Sequence, residues 1–359
     1  MEPPMNPLPV SDAPITTDAL IVGAGPAGLF QAFALGLLGI RSHIVDALPH
    51  VGGQCIALYP DKPIYDIPAL AVCTGRELVA RLQQQAAPFE PVFHLDQEVS
   101  TVVPAADGSG FAVLTSAGTC FDAKTILLAA GVGAFTPRRL KIDGLEAFED
   151  TQVFHRLQTP LAHAGHAVLV VGGDDAALEA AVALASAGAR VTLAYRREAL
   201  PAGDAAIAAF QAARDAGALH FQAGQVTGIE ARNDRLTAAR LLDGRGETQT
   251  IPLDAMFVLQ GLSPRLGPIA DWGLALARKQ VPVDTESFAT AVPGIHAVGD
   301  INTYPGKKKL ILSAFHECTL AAFGAAARIF PSQAIPLQYT TTSTRLHQLL
   351  GVGTATASD

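Results

Sequence analysis

The chain is poor in what several classes of function require. It has 4 cysteines, 1 tryptophan and 3 methionines in 359 residues. No two of Cys55, Cys73, Cys120 and Cys318 stand in a CxxC, which excludes the common zinc patterns and a disulfide framework. So few thiols fit a reducing compartment. Charged residues are only 16%, and acids outnumber bases 33 to 25, for a net charge of −8. There is no basic excess to hold nucleic acid. Mean hydropathy is +0.29. Even so, the longest apolar stretch of interest, Ala32 to Ile40, falls far short of the ~20 residues a membrane span needs. The opening MEPPMNPLPVSDAP has no basic segment followed by an apolar one. It reads as a loose tail, with Asp12 and Asp18 exposed, and a cytoplasmic location is expected.

What is present is a large apolar fraction, 49%. A chain of this length and composition can bury a sizeable core and suits two domains. Gly (33) and Pro (24) divide it into short apolar runs that read as strands. These runs are Ala19–Val22, His43–Val45, Ile126–Ala129, Val168–Val171, Val191–Ala194, Met256–Leu259 and Ile295–Val298. Several alternate with helical patterns, as in parallel sheets covered on both faces.

Two strand–turn–helix–strand units stand out, beginning near Ala19 and Val168. The first is complete. After Ala19–Val22 comes Gly23-Ala-Gly25-Pro-Ala-Gly28, and then Phe30, Phe33, Ala34, Leu37 and Leu38 recur at helical spacing up to Gly39. Gly23 permits the tight turn and Gly25 a close backbone approach to a pyrophosphate. Gly28 lets helix and strand pack closely. The helix N-terminus favours an anion. Asp46, at the end of the next strand, can accept from a ribose diol.

The second unit is degraded. Gly172-Gly173-Asp174-Asp175-Ala176-Ala177 has a carboxylate where the middle glycine belongs. Its next strand ends in Tyr195-Arg196-Arg197-Glu198, and paired arginines there suit the 2′-phosphate of NADP.

Four longer runs carry a specific resemblance. They are VGGQCIALYPDKPIYDIP (51–68), GVGAFTPR (131–138), IHAVGD (295–300) and YPGKKKL (304–310). With them the chain resembles the thioredoxin-reductase-like ferredoxin/flavodoxin–NADP(+) reductases of bacteria, over about residues 18–344. The resemblance implies an α/β fold of two Rossmann-like dinucleotide-binding domains, for FAD and NAD(P)H, the second inserted in the first. The FAD domain is expected at 1–132 and 290–359 and the NADP domain at 133–289. The implied cofactors are FAD and NADP(H). The implied partners are ferredoxin or flavodoxin and a second copy of the chain, with no nucleic acid and no membrane.

The resemblance also assigns residues. Asp46 would bind the adenosine ribose of FAD, and Gln54, Tyr59, Val99 and Phe135 would line the cofactor. Tyr59 would stack on the flavin ring, and Asp300 would bond the ribitol region. A tail threonine, Thr340 or Thr341, would reach the flavin of the other subunit. Gly172, Gly173, Arg196 and Arg197 would hold NADP. The implied chemistry, hydride transfer from nicotinamide C4 to flavin N5 and one-electron release to a carrier, needs no general acid or base and no metal. His316 and Glu317 are expected in surface or core roles. Residues 133–290 hold no cysteine, so there is no dithiol of the thioredoxin-reductase kind to relay electrons. Lys307, Lys308 and Lys309 either steer an acidic carrier or form a solvated loop.

Two departures weaken the second site. Asp174 competes with a phosphate for backbone amides, and Pro201 replaces the third arginine of the family's pattern. The main expectation is an NADPH-dependent reductase. The alternative is a FAD-binding protein with a degenerate nucleotide site, acting without NADPH or as a partner-binding module. An NADH-preferring reductase is a third reading, disfavoured by the arginine pair.

Overall fold

The computed structural model describes residues 13–337 and 339–352. All seven apolar runs are strands or parts of strands, within a residue or so at each end. The chain divides into two compact units, residues 1–134 with 265–359, and residues 135–264.

The first unit is built on a seven-stranded mixed sheet. Its parallel part runs Val92–His94, Ser42–Val45, Ile15–Val22, Cys120–Leu128. The last of these strands changes partner along its length. Its first half pairs antiparallel with Phe111–Thr115, and its end pairs parallel with Ile295–Ala297, Ile126 opposite Ile295. Alternation decides the faces. Ala19 and Ile21 pack with Leu35, Leu127, Ala321 and Ala325, beneath the helices Pro26–Leu37 and Ile311–Ile329. Leu20 and Val22 pack on the other side with Phe111, Phe121 and Ile126.

That second core also takes Ile269, Trp272, Leu274 and Val281. The sequence reading placed residues up to 289 in the inserted domain. These buried side chains instead bring 265–289 into the first unit.

The second unit has a five-stranded parallel sheet in the order Val153–Phe154, Ala255–Val258, Ala167–Val171, Arg190–Tyr195, Leu219–Ala223. Helices Asp175–Ser186 and Asp204–Asp215 cover one face through Leu178, Leu184 and Phe210. An antiparallel meander, Gln225–Arg232, Arg235–Leu242 and Thr248–Pro252, covers the other through Val226, Leu236 and Leu241. The meander escaped the sequence reading, because its strands are half exposed and rich in polar residues.

Candidate functional site: two nucleotide turns

In the first unit, Gly23 adopts φ +110°, and a Cβ there would lie 2.4 Å from the Ala129 carbonyl oxygen. Only glycine fits such a turn. A Cβ on Gly28 would lie 1.8 Å from the Gly23 carbonyl oxygen, so helix and turn touch directly. Gly25 differs. Its φ is an ordinary −73°, and the nearest atom to an added Cβ is the Gly53 Cα at 3.9 Å. Gly25 therefore leaves open space at the start of helix Pro26–Leu37. No side chain caps that helix, and its first turn carries no acid. Its first-turn amides and dipole are left to an outside anion.

Asp46 stands beside this turn. Its carboxylate accepts from the Ala24 amide at 2.6 Å and the Leu48 amide at 2.8 Å. Burial raises its pKa, against the lowering by those two bonds. Two carboxylate oxygens retain acceptor capacity beyond these donors.

The 51–59 loop lies against the same turn. The Gly52 amide donates to the Ala24 carbonyl at 2.8 Å. Gln54 opens the short helix Gln54–Ala57, with its amide nitrogen 3.1 Å from where a Gly131 Cβ would be. Tyr59 is half-buried, and the Cys55 thiol donates to its hydroxyl at 3.6 Å. Burial first, then the Cys55 contact and the Asp300 and Asp66 carboxylates, hold the Tyr59 phenol above its ordinary pKa. Cys55 is buried and burial raises its pKa, so it stays a thiol.

Asp300 lies in the turn Gly299–Ile301, directly after strand Ile295–Ala297. A neighbouring network that the sequence reading did not resolve holds this turn. The fully buried Glu317 carboxylate accepts from the Gly299 amide at 2.7 Å, Asn302 Nδ2 at 2.9 Å and the Tyr304 hydroxyl at 2.9 Å. It also pairs with the Lys307 ammonium, which in turn donates to the Gly299 carbonyl at 2.8 Å. Burial and the bond to Glu317 push the Tyr304 phenol up to about 12. Lys307 is thus no part of an exposed cluster, with only 6% of its side chain accessible. A buried carboxylate with this many donors attracts it out of solvent. Lys308 and Lys309 are exposed, as is His316.

The remaining assignments fall as follows. Val99 is buried at the start of strand Val99–Pro104. Phe135 belongs to strand Ala134–Pro137, and its side chain lies outside the described part of the structure. Thr340 and Thr341 are exposed in a 3-10 turn. The helix that follows, Thr344–Leu349, is tied to its own chain, where Arg345 donates to the Gly36 carbonyl at 3.0 Å.

In the second unit a cleft of about 520 Å³ opens at the carboxyl ends of the parallel strands. Gly172, Gly173, Asp174, Tyr195 and Arg196 line it, and Pro201 does too. Arg197 is exposed outside that lining. A Cβ on Gly172 would lie 2.0 Å from the Leu259 carbonyl oxygen, and one on Gly173 would lie 2.7 Å from the Tyr195 ring. Asp174 is the N-cap of helix Asp175–Ser186, its Oδ1 accepting from the Ala177 amide at 3.1 Å.

Both places fit a dinucleotide. The first offers a bare helix start, an open glycine and a carboxylate, the donor set for FAD. The second offers a glycine turn in a cleft rimmed by cations, which suits a phosphate-bearing nucleotide.

The sequence pattern of the family described as pyridine nucleotide-disulphide oxidoreductase matches residues 17–318. The chain belongs to that family. It is 55% identical to a ferredoxin–NADP reductase of Polaromonas naphthalenivorans, covering 98% of each chain. It is 57% identical to one of Paracidovorax citrulli, covering 95% of this chain and 98% of the other. Among solved structures it is similar to the thioredoxin reductase of Lactococcus lactis, with TM-score 0.58 and 23% identity over 88% of this chain and 99% of that one. It is also similar to a bacillithiol disulfide reductase of Staphylococcus aureus, with TM-score 0.62 and 18% identity over 89% of this chain and 100% of that one. At such identities these two share the fold alone. This member of the family carries its four cysteines as free thiols. Among the described residues no helix is long and apolar enough to cross a membrane.

Proposed function

We propose that this chain is a FAD-dependent ferredoxin (or flavodoxin)–NADP(+) reductase. One observation carries the reading. Two nucleotide turns sit at the ends of parallel strands in one chain, with no dithiol in the second unit to carry electrons onward. The relatives named above point the same way. FAD, when bound, accepts hydride from NADPH and passes electrons singly to the carrier.

The residues' part is binding and orientation. The first-turn amides of helix Pro26–Leu37 face the pyrophosphate of FAD through the opening at Gly25, with Gly23 and Gly28 shaping the turn. Asp46 takes the adenosine ribose. Gln54, Tyr59, Val99, Phe135 and Asp300 surround the flavin half, and Thr340 or Thr341 reaches a flavin from the tail. Glu317 and Lys307 fix the backbone that carries Asp300. Gly172, Gly173, Arg196 and Arg197 take NADP(H). Exposed Lys308 and Lys309 favour an acidic carrier by steering.

The reading includes a cytoplasmic location and a homodimer. Leu337 and Tyr339 support the dimer, being 68% and 69% exposed on the tail, where a second copy would cover them. The degenerate-site alternative is favoured by one observation, the Asp174 cap, which occupies an amide a phosphate would use.

The test is reduction of a purified acidic ferredoxin, or a flavodoxin, by NADPH with the flavin-loaded protein. The reading expects carrier reduction that saturates with carrier and slows as salt rises. A flavin that NADPH reduces, but that passes electrons to neither carrier, contradicts the carrier assignment.

A further inference from the structure

The cleft of the second unit has a second rim, from a segment that precedes its glycine turn by more than thirty residues. Arg138, Arg139 and Lys141 line the cleft, as Arg196 does. The segment is held firmly. The Arg138 amide donates to the Gly261 carbonyl at 3.1 Å. Leu140 and Ile142 pack onto the core of Val171, Ala194 and Val226. All three cations are exposed.

These cations are largely uncommitted. Among the described residues the Arg138 and Lys141 side chains make no hydrogen bond or ion pair. Arg139 has only a loose one, 3.8 Å to Glu149. Arg196 lies 6.0 Å over the Tyr195 ring and, among the described residues, has no carboxylate partner. Four cations therefore meet one carboxylate, Asp174, in the cleft lining. Unpaired like charges around a concave space repel one another, and an anion relieves that repulsion. Pro201 lies in the same lining, where the related pattern has its third arginine.

We infer that Arg138, Arg139 and Lys141 form the second half of the 2′-phosphate grip, lining the same cleft as Arg196 and taking over from the arginine that Pro201 replaces. The rim makes the site selective for the 2′-phosphorylated nucleotide despite Asp174. A guanidinium pair and an ammonium supply bidentate and point-charge contacts to a phosphate dianion. The inference rests on the nucleotide reading of the second unit.

The test uses the full-length, flavin-loaded protein and two probes, adenosine 2′,5′-bisphosphate and adenosine 5′-monophosphate, with binding measured by calorimetry. In Arg138→Gln/Arg139→Gln, and separately in Lys141→Gln, the bisphosphate is expected to bind roughly tenfold to a hundredfold more weakly, the scale of a lost charged contact. The monophosphate is expected to change less than about threefold, and the salt dependence for the bisphosphate to flatten. Flavin content and melting temperature confirm folding, since the substituted side chains are on the surface. Equal weakening for both probes, or none for either, overturns the assignment. A wild-type protein that binds neither probe overturns the nucleotide reading itself, and is distinguished by the absence of any binding before mutation.

Discussion

Helix Pro26–Leu37 begins on Gly25 with no side-chain cap, whereas helix Asp175–Ser186 begins on Asp174, whose carboxylate takes the Ala177 amide. Both helices run for twelve residues and follow a parallel strand. The first turn keeps its amides for a ligand, and the second satisfies one of its own. A self-capped helix is more stable empty, and an anion must displace the cap to bind there. The second unit answers with charge, setting Arg138, Arg139, Lys141 and Arg196 around the cleft. The first turn has the Asp46 carboxylate beside it and a buried clamp at Glu317 behind Asp300. On the proposed reading, one topology holds a dinucleotide by free backbone amides in one unit and by side-chain cations in the other.

The largest effect is expected at one glycine in each turn whose Cα already touches a carbonyl. Gly28→Ala and Gly172→Ala each place a Cβ about 2 Å or less from a carbonyl oxygen, 1.8 Å and 2.0 Å. Each is expected to cost more than about 4 kcal/mol of stability, read by denaturant unfolding. A variant that unfolds like the parent would contradict the close contact at its turn.

Next comes Glu317→Ala, which strands Lys307 in a buried site. It is expected to cost about 3–5 kcal/mol and to lower flavin retention. Glu317→Gln keeps the shape and is expected to cost less, so equal losses would show that the negative charge is essential.

Gly25→Ala is the sharper probe of the first turn. Its Cβ meets no protein atom closer than 3.9 Å. The empty protein is expected to melt nearly unchanged, while FAD affinity falls roughly a hundredfold, about 2.7 kcal/mol. A loss of stability matching the loss of affinity would mean that the space is structural. The mirror change, Asp174→Gly, is expected to cost the empty protein only a few tenths of a kcal/mol. It is expected to tighten NADPH roughly tenfold, measured by titration. No tightening favours the reading in which the second site is no longer used.

The smallest effect concerns pH. Burial pushes His43, His94 and His296 in the first unit, and His163 in the second, below their ordinary value of 6.5. The unfolded chain then binds more protons than the folded one below that value. The contribution is therefore complete above pH 6.5 and is lost as pH falls through the lowered folded values. With three of the four groups, the first unit is expected to lose more amide protection than the second between about pH 7.5 and about pH 5.5. Equal losses in both units, by hydrogen exchange, would contradict that distribution.

Much of this was legible in the sequence because the signals are local. A strand, three glycines, a helical apolar spacing and Asp46 lie within one short window, and so do Asp174 and the Arg196–Arg197 pair. The cationic rim was not legible. Arg138, Arg139 and Lys141 carry no periodic signal and meet Gly172 only through the fold. The Glu317 clamp was hidden for a related reason. A lysine in the run Lys307–Lys309 looks solvated until the helix Ile311–Ile329 brings a buried carboxylate to it. The boundary expected near 290 moved because Ile269, Trp272 and Leu274 are scattered apolar residues without a strand or helix pattern, yet all are buried in the first unit's core.

The most direct measurement is anaerobic mixing of the flavin-loaded protein with NADPH, following the oxidised-flavin absorbance. The account predicts rapid bleaching at modest NADPH, faster than with the same concentration of NADH. Flavin that stays oxidised with NADPH, although dithionite reduces it, would contradict the account and leave the second cleft without a role in hydride delivery.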